Sequence, residues 1–458
     1  MADDLVLAID QGTSSTKCVL VDRSGAIVRE ASAPVPIRYP RPGWVEQDAD
    51  EILDSVLTAA AACLSDGDRK AVTAVGFSTQ RESAVVWDRV TGRPAGPVLG
   101  WQDQRTQAYC DSLRDRGFAA PIRKISGLPL DPMFSAAKLR WLLDRSPDAA
   151  AGTVDAWLMY ALTGGHQIEV GNASRTQLLD VRSGTWSAEL LDIFGIPSSA
   201  LPAITPSSGS LGRIGSRGGV LSGLPITAVL GDSHAALYAH GVPGVKVTYG
   251  TGSSVMRLGS AAGDAVCLTV AWNDQLAMEG NIRSSGATVA WLADLLGVSP
   301  AEVGHMALNA SSDGVHLVPA FGGLAAPWWD DTAVGLISGL TLGTKAPQLA
   351  RAALESIAHQ VADVVDAMGG ADRILADGGA SANDLLMQIQ ADLAGVPVRR
   401  ARAANLSALG AAFLAGRFAE WSLDYDDFDP RPIDPAVRPA WRDAVARART
   451  PEGDGHDR

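Results

Sequence analysis

The sequence is poor in cysteine, and its few cysteines lie far apart. Four are present among 458 residues, Cys18, Cys63, Cys110 and Cys267, and no two of them form a C-x-x-C pair. A disulfide framework or a zinc site usually requires closer or more numerous cysteines. The spacing therefore argues against both and favours a reducing cytoplasm.

The sequence also lacks long apolar runs and a leader-like start. No apolar stretch approaches the ~20 residues that a membrane-spanning helix needs. The first residues, Met-Ala-Asp-Asp, lead directly into Leu5–Ile9 without a basic region or a cleavage-type segment. We therefore expect a soluble, cytoplasmic protein that does not bind membranes.

Basic residues are fewer than acidic ones. The chain has 38 lysines and arginines against 51 acidic residues, which gives a formal net charge of -13. Nucleic acids and anionic membranes are bound through basic surface, so neither is an expected partner. A phosphate-bearing ligand is not excluded, because backbone amides and Mg²⁺ supply positive potential locally.

Three common phosphate-binding signatures are missing. The chain has no G-x-x-x-x-G-K-[ST] sequence, no complete G-x-G-x-x-G and no set of protein-kinase motifs. P-loop, Rossmann and protein-kinase folds are therefore not predicted.

Length and pattern predict two α/β domains. A chain of 458 residues exceeds one ordinary domain. Strand-like runs alternate with helical patterns through the first half, which is typical of an α/β domain. Proline and glycine recur across 196–225, and we place the boundary soon after them. The predicted division is a first domain at 1–242, a second at 243–430 and a C-terminal tail at 431–458.

A strand-turn-strand pattern occurs once in each half. Leu5–Ile9 and Lys17–Val21 read as strands around the turn Asp10–Ser15, and Val245–Tyr249 precedes the similar turn Gly250–Ser254. Small residues let backbone amides approach a phosphate, and Asp10 offers Mg²⁺ a hard oxygen ligand. Either turn alone is also explained as an ordinary polar hairpin. The repeat favours a duplicated domain whose two turns clamp a nucleotide.

Polar groups at other strand ends have two interpretations each. Arg81 and Glu82, just past a strand, either grip vicinal hydroxyls or form a solvated surface pair. Trp101 either stacks on a carbon skeleton or belongs to the core. Asp232, after the strand 226–230, is either a general base or a helix N-cap. For His234, a structural or pocket-lining role is favoured over that of nucleophile or metal ligand.

The segment Asp377–Asn383 joins a predicted strand to a predicted helix. Its Gly378-Gly379 pair can lie flat against an adenine or accept a phosphate at the helix N-terminus. A tight connection in which Asn383 caps the helix is the equally weighted alternative.

Taken in order, the motifs of residues 5–417 resemble those of the FGGY carbohydrate kinases, and within them the glycerol kinases most closely. The number of long matches in fixed order makes the resemblance specific. The segments that carry it are Ile9–Thr16, Gly43–Asp48, Gln80–Ser83, Val86–Gly92, Trp101–Thr106, Asn172–Thr176, Tyr249–Gly252 and Asp377–Asn383.

The resemblance implies two RNase H-like domains of the actin/Hsp70/sugar-kinase ATPase fold, with ATP and Mg²⁺ bound in an interdomain cleft. It implies that Asp232 is the catalytic base and that Asp10 is associated with the metal. The substrate-binding positions that it implies are Arg81, Glu82, Trp101, Met133, Asp232 and Ser233. The ATP-binding positions that it implies are Gly12, Thr13, Ser14, Ser15, Lys17, Thr251, Gly252, Gly286, Gly379 and Asn383.

Five positions depart from the glycerol kinase pattern. Met133 stands for a tyrosine, Ser233 for a glutamine and Ser254 for a phenylalanine, in or beside the expected substrate pocket. Ala290 stands for a glutamine and Lys17 for an arginine, near the expected nucleotide. Loss of aromatic bulk enlarges a pocket, and such changes can switch substrate. Glycerol is the nearest single expectation, and a larger polyol or ketose such as a tetritol, a pentitol or xylulose is its alternative.

The reaction expected from these residues is in-line transfer of the γ-phosphoryl group of ATP to a primary hydroxyl. Two other classes of function share the nucleotide-binding turns: an actin/Hsp70-like ATPase without a sugar substrate, and a sensor that only binds a sugar. The expected partner is a small polyol or sugar, and the expected assembly is a homodimer or a homotetramer.

Overall fold

The computed structural model describes residues 4–260 and 263–449. The predicted C-terminal tail, 431–458, is therefore described as far as residue 449, and its last part lies outside the described residues. None of the helices in these two ranges combines the length and the apolar character that a bilayer crossing requires.

The strands alternate with helices along the chain. They are β1 Leu5–Gln11, β2 Ser15–Val21, β3 Ile27–Pro34, β4 Glu46–Gln47, β5 Val72–Thr79, β6 Ala84–Trp87, β7 Val98–Leu99, β8 Ala150–Thr153, β9 Gln167–Glu169, β10 Leu179–Asp180, β11 Thr185–Trp186, β12 Ala203–Thr205, β13 Ser208–Arg213, β14 Pro225–Gly231, β15 Val245–Tyr249, β16 Ser253–Leu258, β17 Cys267–Trp272, β18 Gln275–Ile282, β19 His316–Val318, β20 Leu336–Ser338, β21 Ile374–Asp377, β22 Val398–Ala401 and β23 Tyr425–Phe428.

The α-helices are α1 Ala49–Cys63, α2 Asp66–Ala71, α3 Gln107–Asp115, α4 Ala119–Ser126, α5 Ser135–Leu143, α6 Val154–Thr163, α7 Val170–Ser174, α8 Ala188–Phe194, α9 Asp232–His240, α10 Gly286–Leu296, α11 Pro300–Ala307, α12 Ala346–Ala367, α13 Asp384–Ala394, α14 Leu406–Gly416 and α15 Val437–Ala448. Short 3₁₀ segments occur at Ser198–Ala200, Ser216–Leu221 and Gly379–Ala382.

The chain divides into two compact units. Apart from residues that the structure does not describe, the first comprises Met1–Gly241, Leu268–Ala277 and Asn405–Ser422. The second comprises Val242–Cys267, Met278–Ala404 and Leu423–Arg458. Neither unit is one continuous stretch of sequence, because α14 and most of β17 belong to the first.

The first unit is built on a six-stranded sheet in the order β13-β14-β5-β1-β2-β3. Strand β1 pairs antiparallel with β2 and parallel with β5, and β14 pairs parallel with β5. The carboxyl ends of β1, β5 and β14 therefore meet at one edge. In α/β sheets this edge is where ligands bind.

Helices cover both faces of this sheet, so the central strands are buried on both sides. Leu7 and Ile9 of β1 join a core that includes Ile52 and Val56 of α1. On the opposite face α14 packs so closely that a Cβ added at Gly76 would lie 2.8 Å from the carbonyl carbon of Ala411. Glycine at position 76 is therefore what lets α14 lie against β5.

A smaller sheet in the first unit, ordered β4-β7-β6-β8, carries the segments that follow β5. A second hydrophobic core lies beside it, with Leu99, Leu139 and Leu142 among its members. The loops between β5 and β6 and after β7 hold the predicted substrate residues Arg81, Glu82 and Trp101.

The second unit repeats the arrangement around the strands β16, β15, β21, β22 and β23, which are neighbours in that order. Strand β15 pairs antiparallel with β16 and parallel with β21, just as β1 does with β2 and β5. The strand-turn-strand repeat predicted from the sequence is therefore present, and each copy sits at the centre of its own sheet.

Helices α12 and α15 complete the core of the second unit. Leu354, Ile357 and Val361 lie on the buried side of α12. Trp441 of α15 is buried, its ring stacks on His359 with centroids 4.8 Å apart, and its Nε1 donates to Asp363 Oδ2 at 2.7 Å. Part of the segment after residue 431 is thus a packed helix.

Candidate active site

Asp232 is the first residue of α9, directly after β14 ends at Gly231. Its Oδ1 accepts hydrogen bonds from Arg81 Nε at 3.2 Å and from the Ser233 amide at 2.6 Å. Its Oδ2 accepts none from the described residues, and the side chain is 37% exposed. One carboxylate oxygen is therefore fixed by two donors, while the other makes no hydrogen bond with the described residues.

The helix-cap interpretation of Asp232 is wrong. Gly231, not Asp232, occupies the cap position, and it makes no side-chain cap bond. A Cβ at Gly231 would lie 2.7 Å from Arg81 Cγ and closer still to its Cδ. Glycine at this position lets the Arg81 side chain run beneath the start of α9 and reach the carboxylate.

Arg81 and Glu82 are buried, with 5% of each exposed, so the solvated-pair interpretation is wrong. Arg81 Nε lies 3.9 Å from Glu82 Oε1, which also accepts from Arg175 Nε at 2.6 Å. Glu82 Oε2 accepts no hydrogen bond from the described residues. Glu82 adopts a φ of 62°, an uncommon conformation for a residue with a side chain.

Arg175 is a site residue that the sequence reasoning did not single out. It is fully buried at the C-terminal end of α7, and its guanidinium lies 5.1 Å from the ring centroid of Phe134. The only signal for it was the Asn172–Thr176 motif, to which no role had been attached. Its partner Glu82 lies 93 residues earlier, so no local pattern connects the two.

Trp101 lies at the surface of the site and is 36% exposed, so the core interpretation does not hold. Its Nε1 donates to Thr13 Oγ1 at 3.1 Å, and its amide donates to Ser83 Oγ at 3.1 Å. The indole therefore links the loop after β7 to the turn between β1 and β2.

Met133 is half-buried, and the segment that contains it is hydrogen-bonded to Lys138. Lys138 Nζ donates to the carbonyls of Pro132, at 3.0 Å, and of Met133. Burial lowers the pKa of Lys138 to about 8, against the opposing charge of Glu82. Ser135 Oγ donates to the Glu82 carbonyl at 3.0 Å, which joins this segment to the Arg81–Glu82 loop.

Buried glutamines tie the first turn to the substrate loop. Gln80 Nε2 donates to Gln11 Oε1 at 3.1 Å and to Gln47 Oε1 at 3.0 Å, and its own Oε1 accepts from Ser83 Oγ at 2.8 Å. Gln47 Nε2 in turn donates to the Thr13 carbonyl at 2.8 Å. This network fixes the turn and the loop relative to each other within the first unit.

The predicted phosphate turn, Gly12–Ser15, has its carbonyls occupied. The carbonyl of Gly12 accepts from Gln11 Nε2, that of Ser14 from the Val35 amide and that of Ser15 from the Gly12 amide, at 2.7, 2.9 and 3.0 Å respectively. The amides of Thr13 and Ser14 donate to no group in the described residues. Satisfied carbonyls beside amides that have no protein acceptor are the arrangement with which backbone turns bind anions.

Asp10 lies at the end of β1, beside this turn. Its Oδ1 accepts from Ser78 Oγ at 2.8 Å, and Lys17 is its cross-strand neighbour. Burial, with a smaller contribution from the negative charge of Asp232, raises the pKa of Asp10 to about 6 against the effects of Ser78 and Lys17. A nearby cation would favour the charged carboxylate.

The second turn, Gly250–Gly252, lies in the second unit and likewise has hydrogen-bonded carbonyls and amides without a protein acceptor. Its three carbonyls accept amides: Gly250 from Gly286, Thr251 from Ser285 and Ala287, and Gly252 from Gly250, all at 2.9–3.0 Å. The amides of Thr251 and Gly252 donate to no described residue. A Cβ at Gly286 would lie 2.7 Å from the Gly250 carbonyl oxygen, so glycine is needed for this close approach.

The Asp377–Asn383 segment lies next to that turn. A Cβ at Gly378, whose φ is 90°, would lie 2.8 Å from the Tyr249 amide. A Cβ at Gly379 would meet no atom within 4 Å. Asn383 caps α13 by accepting from the Leu386 amide at 3.1 Å, so its predicted cap role is present. Gly379 therefore faces open space beside a capped helix start, where a flat ligand could lie.

The described residues contain no group of three or more His, Cys, Asp or Glu side chains arranged to hold a metal ion. Mg²⁺ in kinases is usually held by one or two carboxylates together with substrate phosphates and water. Asp10, whose Oδ2 accepts no hydrogen bond among the described residues, fits that mode.

Sequence comparison identifies both halves of the chain. Residues 5–239 match the N-terminal domain, and residues 245–419 the C-terminal domain, of the FGGY family of carbohydrate kinases. The apulose kinase of Pectobacterium atrosepticum is 41% identical, with 98% of this chain and 99% of that protein covered. The glycerol kinase of Chromobacterium violaceum is 44% identical, with 93% and 92% covered.

Solved structures of sugar and polyol kinases have the same fold as this chain. The glycerol kinase of Plasmodium falciparum, crystallised with ADP, superposes with a TM-score of 0.89 at 27% identity over 97% of this chain and 98% of that one. The xylulose kinase of Rhodospirillum rubrum has a TM-score of 0.84 at 25% identity, with 97% and 98% covered. The predicted α/β fold of the actin/Hsp70-like ATPase type is thereby confirmed. The chain belongs to the FGGY family of carbohydrate kinases and is an ATP-dependent sugar or polyol kinase.

Proposed function

We propose that this kinase transfers the γ-phosphoryl group of ATP to a primary hydroxyl of a small polyol or sugar, with Asp232 as the general base. The observation that carries the proposal is the asymmetric Asp232 carboxylate. Two donors hold Oδ1 while Oδ2 accepts nothing from the described residues. An acceptor aimed in this way is suited to taking the proton of a bound hydroxyl.

In the proposed step the substrate oxygen forms a bond to the γ-phosphorus as the bond from that phosphorus to the β-γ bridging oxygen breaks. The hydroxyl proton passes to Asp232 Oδ2, and ADP leaves. Arg81 holds the Asp232 carboxylate in place through an ion pair, because a guanidinium stays charged at any physiological pH. Glu82 Oε2 is available to accept a second substrate hydroxyl, and Trp101 offers an apolar face to the carbon chain.

The nucleotide phosphates are assigned to the two turns. Each turn by itself offers donors without side-chain charge, the amides of Thr13 and Ser14 in the first turn and those of Thr251 and Gly252 in the second. Ser15 ends the first turn, and Lys17, two residues later, adds a positive charge. Asp10 is proposed to hold Mg²⁺, which would neutralise charge on the phosphates when bound.

Two substrate candidates follow from the pocket residues and the relatives. Glycerol is the nearest, because glycerol kinases are 44% identical or close to it over nine-tenths of the chain. A larger polyol or ketose is the second, because Met133 and Ser233 replace the tyrosine and glutamine of glycerol kinases, and because a relative of 41% identity is an apulose kinase. An unbranched thioether side chain adapts its shape to a pocket more readily than a phenol.

A panel of C3 to C6 polyols and ketoses, apulose included, tests the proposal through ADP release. We expect release to depend strictly on an added substrate, with the highest kcat/KM for glycerol or for one ketose or polyol of four or five carbons. Release at the same rate without any added alcohol would support an ATPase without a sugar substrate instead.

Replacing Arg81 by alanine should raise the KM for the alcohol substrate. The guanidinium contacts Asp232 and lies between it and Glu82, so its loss disorders both acceptors. We expect an increase of about tenfold or more, which corresponds to ~1.4 kcal/mol of binding free energy. The matched control is Arg217→Ala, which removes an exposed ion pair with Asp50 and should leave KM unchanged. If the two variants had equal KM values for the alcohol, Arg81 would not contribute to substrate binding.

Replacing Gly379 by leucine should raise the KM for ATP without lowering thermal stability. The added side chain would enter space that the protein leaves empty, so it costs no internal clash but competes with the nucleotide. We expect about a tenfold increase, again ~1.4 kcal/mol. Gly263→Leu is the control, since a Cβ there also meets nothing within 4 Å. An unchanged KM for ATP in both variants would place the nucleotide elsewhere.

A further inference from the structure

Two hydrogen-bond routes connect Trp101 with Thr13, the residues assigned above to the alcohol and to the nucleotide phosphates. One route is direct, because the Trp101 indole Nε1 donates to Thr13 Oγ1 at 3.1 Å. The other route starts from the Trp101 amide and passes through Ser83, Gln80 and Gln47 to the Thr13 carbonyl, with distances of 3.1, 2.8, 3.0 and 2.8 Å. Both routes lie within the first unit.

The two routes differ in their exposure to water. Ser83, Gln80 and Gln47 are each at most 2% exposed, so the longer route is a fixed part of the interior. The Trp101 residue is 36% exposed and Thr13 is half-buried, so the direct bond lies at the surface, where water competes for it. The longer route therefore holds the backbone at both ends, while the direct bond is the part that can open and close.

The direct bond leaves one proton of Thr13 unused. An indole N–H can only donate, so Thr13 Oγ1 is the acceptor. A hydroxyl that accepts keeps its own proton, and Thr13 Oγ1 donates that proton to no group in the described residues. The amides of Thr13 and Ser14 in the same turn likewise have no protein acceptor. The hydroxyl can therefore donate to a phosphate oxygen at this turn while it accepts from the indole.

We propose that the hydrogen bond between Trp101 and Thr13 couples nucleotide binding to alcohol binding, so that each ligand raises the affinity for the other. The inference rests on the proposed function, which assigns the phosphates to the turn and the carbon chain to the indole. A phosphate that accepts from the Thr13 hydroxyl fixes the direction of its O–H bond and leaves the lone pairs of Oγ1 to the indole. Hydrogen bonds that share one hydroxyl in this way strengthen each other. The indole is thereby held in the orientation that it has in the structure.

Coupling of this kind is reciprocal. If a bound nucleotide raises the affinity for the alcohol by some factor, the bound alcohol raises the affinity for the nucleotide by the same factor. Coupling between two sites typically amounts to a factor of about 5 to 150. A single hydrogen bond contributes at the lower end of that range, so we expect a factor of about five. Trp101 and Thr13 are then positioning residues, each acting on the ligand of the other.

Calorimetric titration with a non-hydrolysable ATP analogue measures the coupling factor. The titration is done without alcohol and with a saturating amount of the alcohol that gives the highest kcat/KM in the panel. In the wild type we expect the alcohol to lower the Kd for the analogue about fivefold. Trp101→Phe keeps an aromatic face but has no N–H, so in this variant the factor should fall below about twofold. Weaker alcohol binding as such does not change this ratio, because the alcohol is saturating.

Substitutions of Thr13 separate its hydroxyl from the bulk of its side chain. Thr13→Val removes the hydroxyl and should abolish the coupling, even where it also weakens binding of the analogue itself. Thr13→Ser keeps the hydroxyl and should keep the factor. Combining Trp101→Phe with Thr13→Val should reduce the coupling no further than either change alone, because both remove the same hydrogen bond.

Trp186→Phe is the matched control. Trp186 is a partly buried tryptophan of the first unit whose Nε1 donates to the Pro202 carbonyl at 2.9 Å. The control therefore removes an indole hydrogen bond of the same kind at a position with no assigned role in binding. Its coupling factor should equal that of the wild type.

The outcomes are distinguishable. A wild type that shows no alcohol-dependent release of ADP overturns the proposed function itself. An active wild type whose Kd for the analogue is the same with and without alcohol overturns the coupling alone. Retention of the factor in Trp101→Phe or Thr13→Val, or its loss in Thr13→Ser or Trp186→Phe, does the same. Loss in the first two variants together with retention in the last two supports it.

Discussion

Asp232→Asn should lower kcat by roughly 10² to 10⁴-fold, the usual contribution of a general base, while ADP affinity stays at the wild-type value. Asparagine has nearly the shape of aspartate, and its amide oxygen can still accept from Arg81 Nε and the Ser233 amide. What it cannot do is take a proton at the position of Oδ2. The loss should therefore appear in turnover and not in folding.

Kinetics of ADP release and calorimetric titration with ADP measure the two quantities separately. The control is Asp66→Asn, which changes the exposed first residue of another helix, α2, and should have no effect on either. Wild-type turnover in the Asp232→Asn enzyme would show that another group accepts the proton. Loss of ADP binding together with activity would instead indicate a structural role for the carboxylate.

The parts of this site that local sequence predicts are those built from contiguous residues. Each hairpin turn joins two strands that are neighbours in the chain, and small residues between apolar runs are sufficient to indicate it. The turns Asp10–Ser15 and Gly250–Ser254 were both predicted in this way, with backbone amides able to approach a phosphate. Asp232 was likewise indicated by its place after an apolar strand.

Contacts between distant residues could not be predicted from such patterns. The hydrogen bond from Arg175 to Glu82 joins residues 93 positions apart, and it forms because α7 and the loop after β5 are brought together by the fold. The role of Lys138 is similar: a lysine in an amphipathic helix reads as a surface residue, yet it is buried beneath the Met133 carbonyl. Burial of a charge depends on tertiary partners and not on local sequence.

Helix α14 shows the same limit at the level of the fold. It lies far along the chain, after most of the second unit. Its run of small and apolar residues predicts that the helix is buried, but not which elements it packs against. The structure places it against β1, β5 and α9 of the first unit. Two glycines make this position possible. Gly410 of α14 lies against α9, and Gly76 of β5 lies against α14, and neither has a side chain that would separate the elements.

Gly410→Ala should therefore destabilise the first unit and reduce activity together. A Cβ at Gly410 would lie 2.7 Å from the carbonyl carbon of Ala235 in α9, and closer still to its oxygen. Alanine favours a helix over glycine by about 1 kcal/mol. Forcing two packed helices apart costs about 1–3 kcal/mol and sometimes more, so the steric term should win. We expect a net loss of up to about 2 kcal/mol in the free energy of unfolding of this unit.

The effect on activity follows because α9 begins with Asp232. Displacing a catalytic group by about 1 Å can cost roughly 10²-fold in rate, so kcat should fall by more than the stability loss alone explains. Gly67→Ala in α2 is the matched control, since a Cβ there comes no closer than 3.8 Å to its neighbour, and it should be neutral or slightly stabilising. Urea unfolding measures the free energy of unfolding of both variants, and ADP release measures their kcat. If Gly410→Ala is as stable and as active as Gly67→Ala, close packing of α14 on α9 does not hold Asp232 in place.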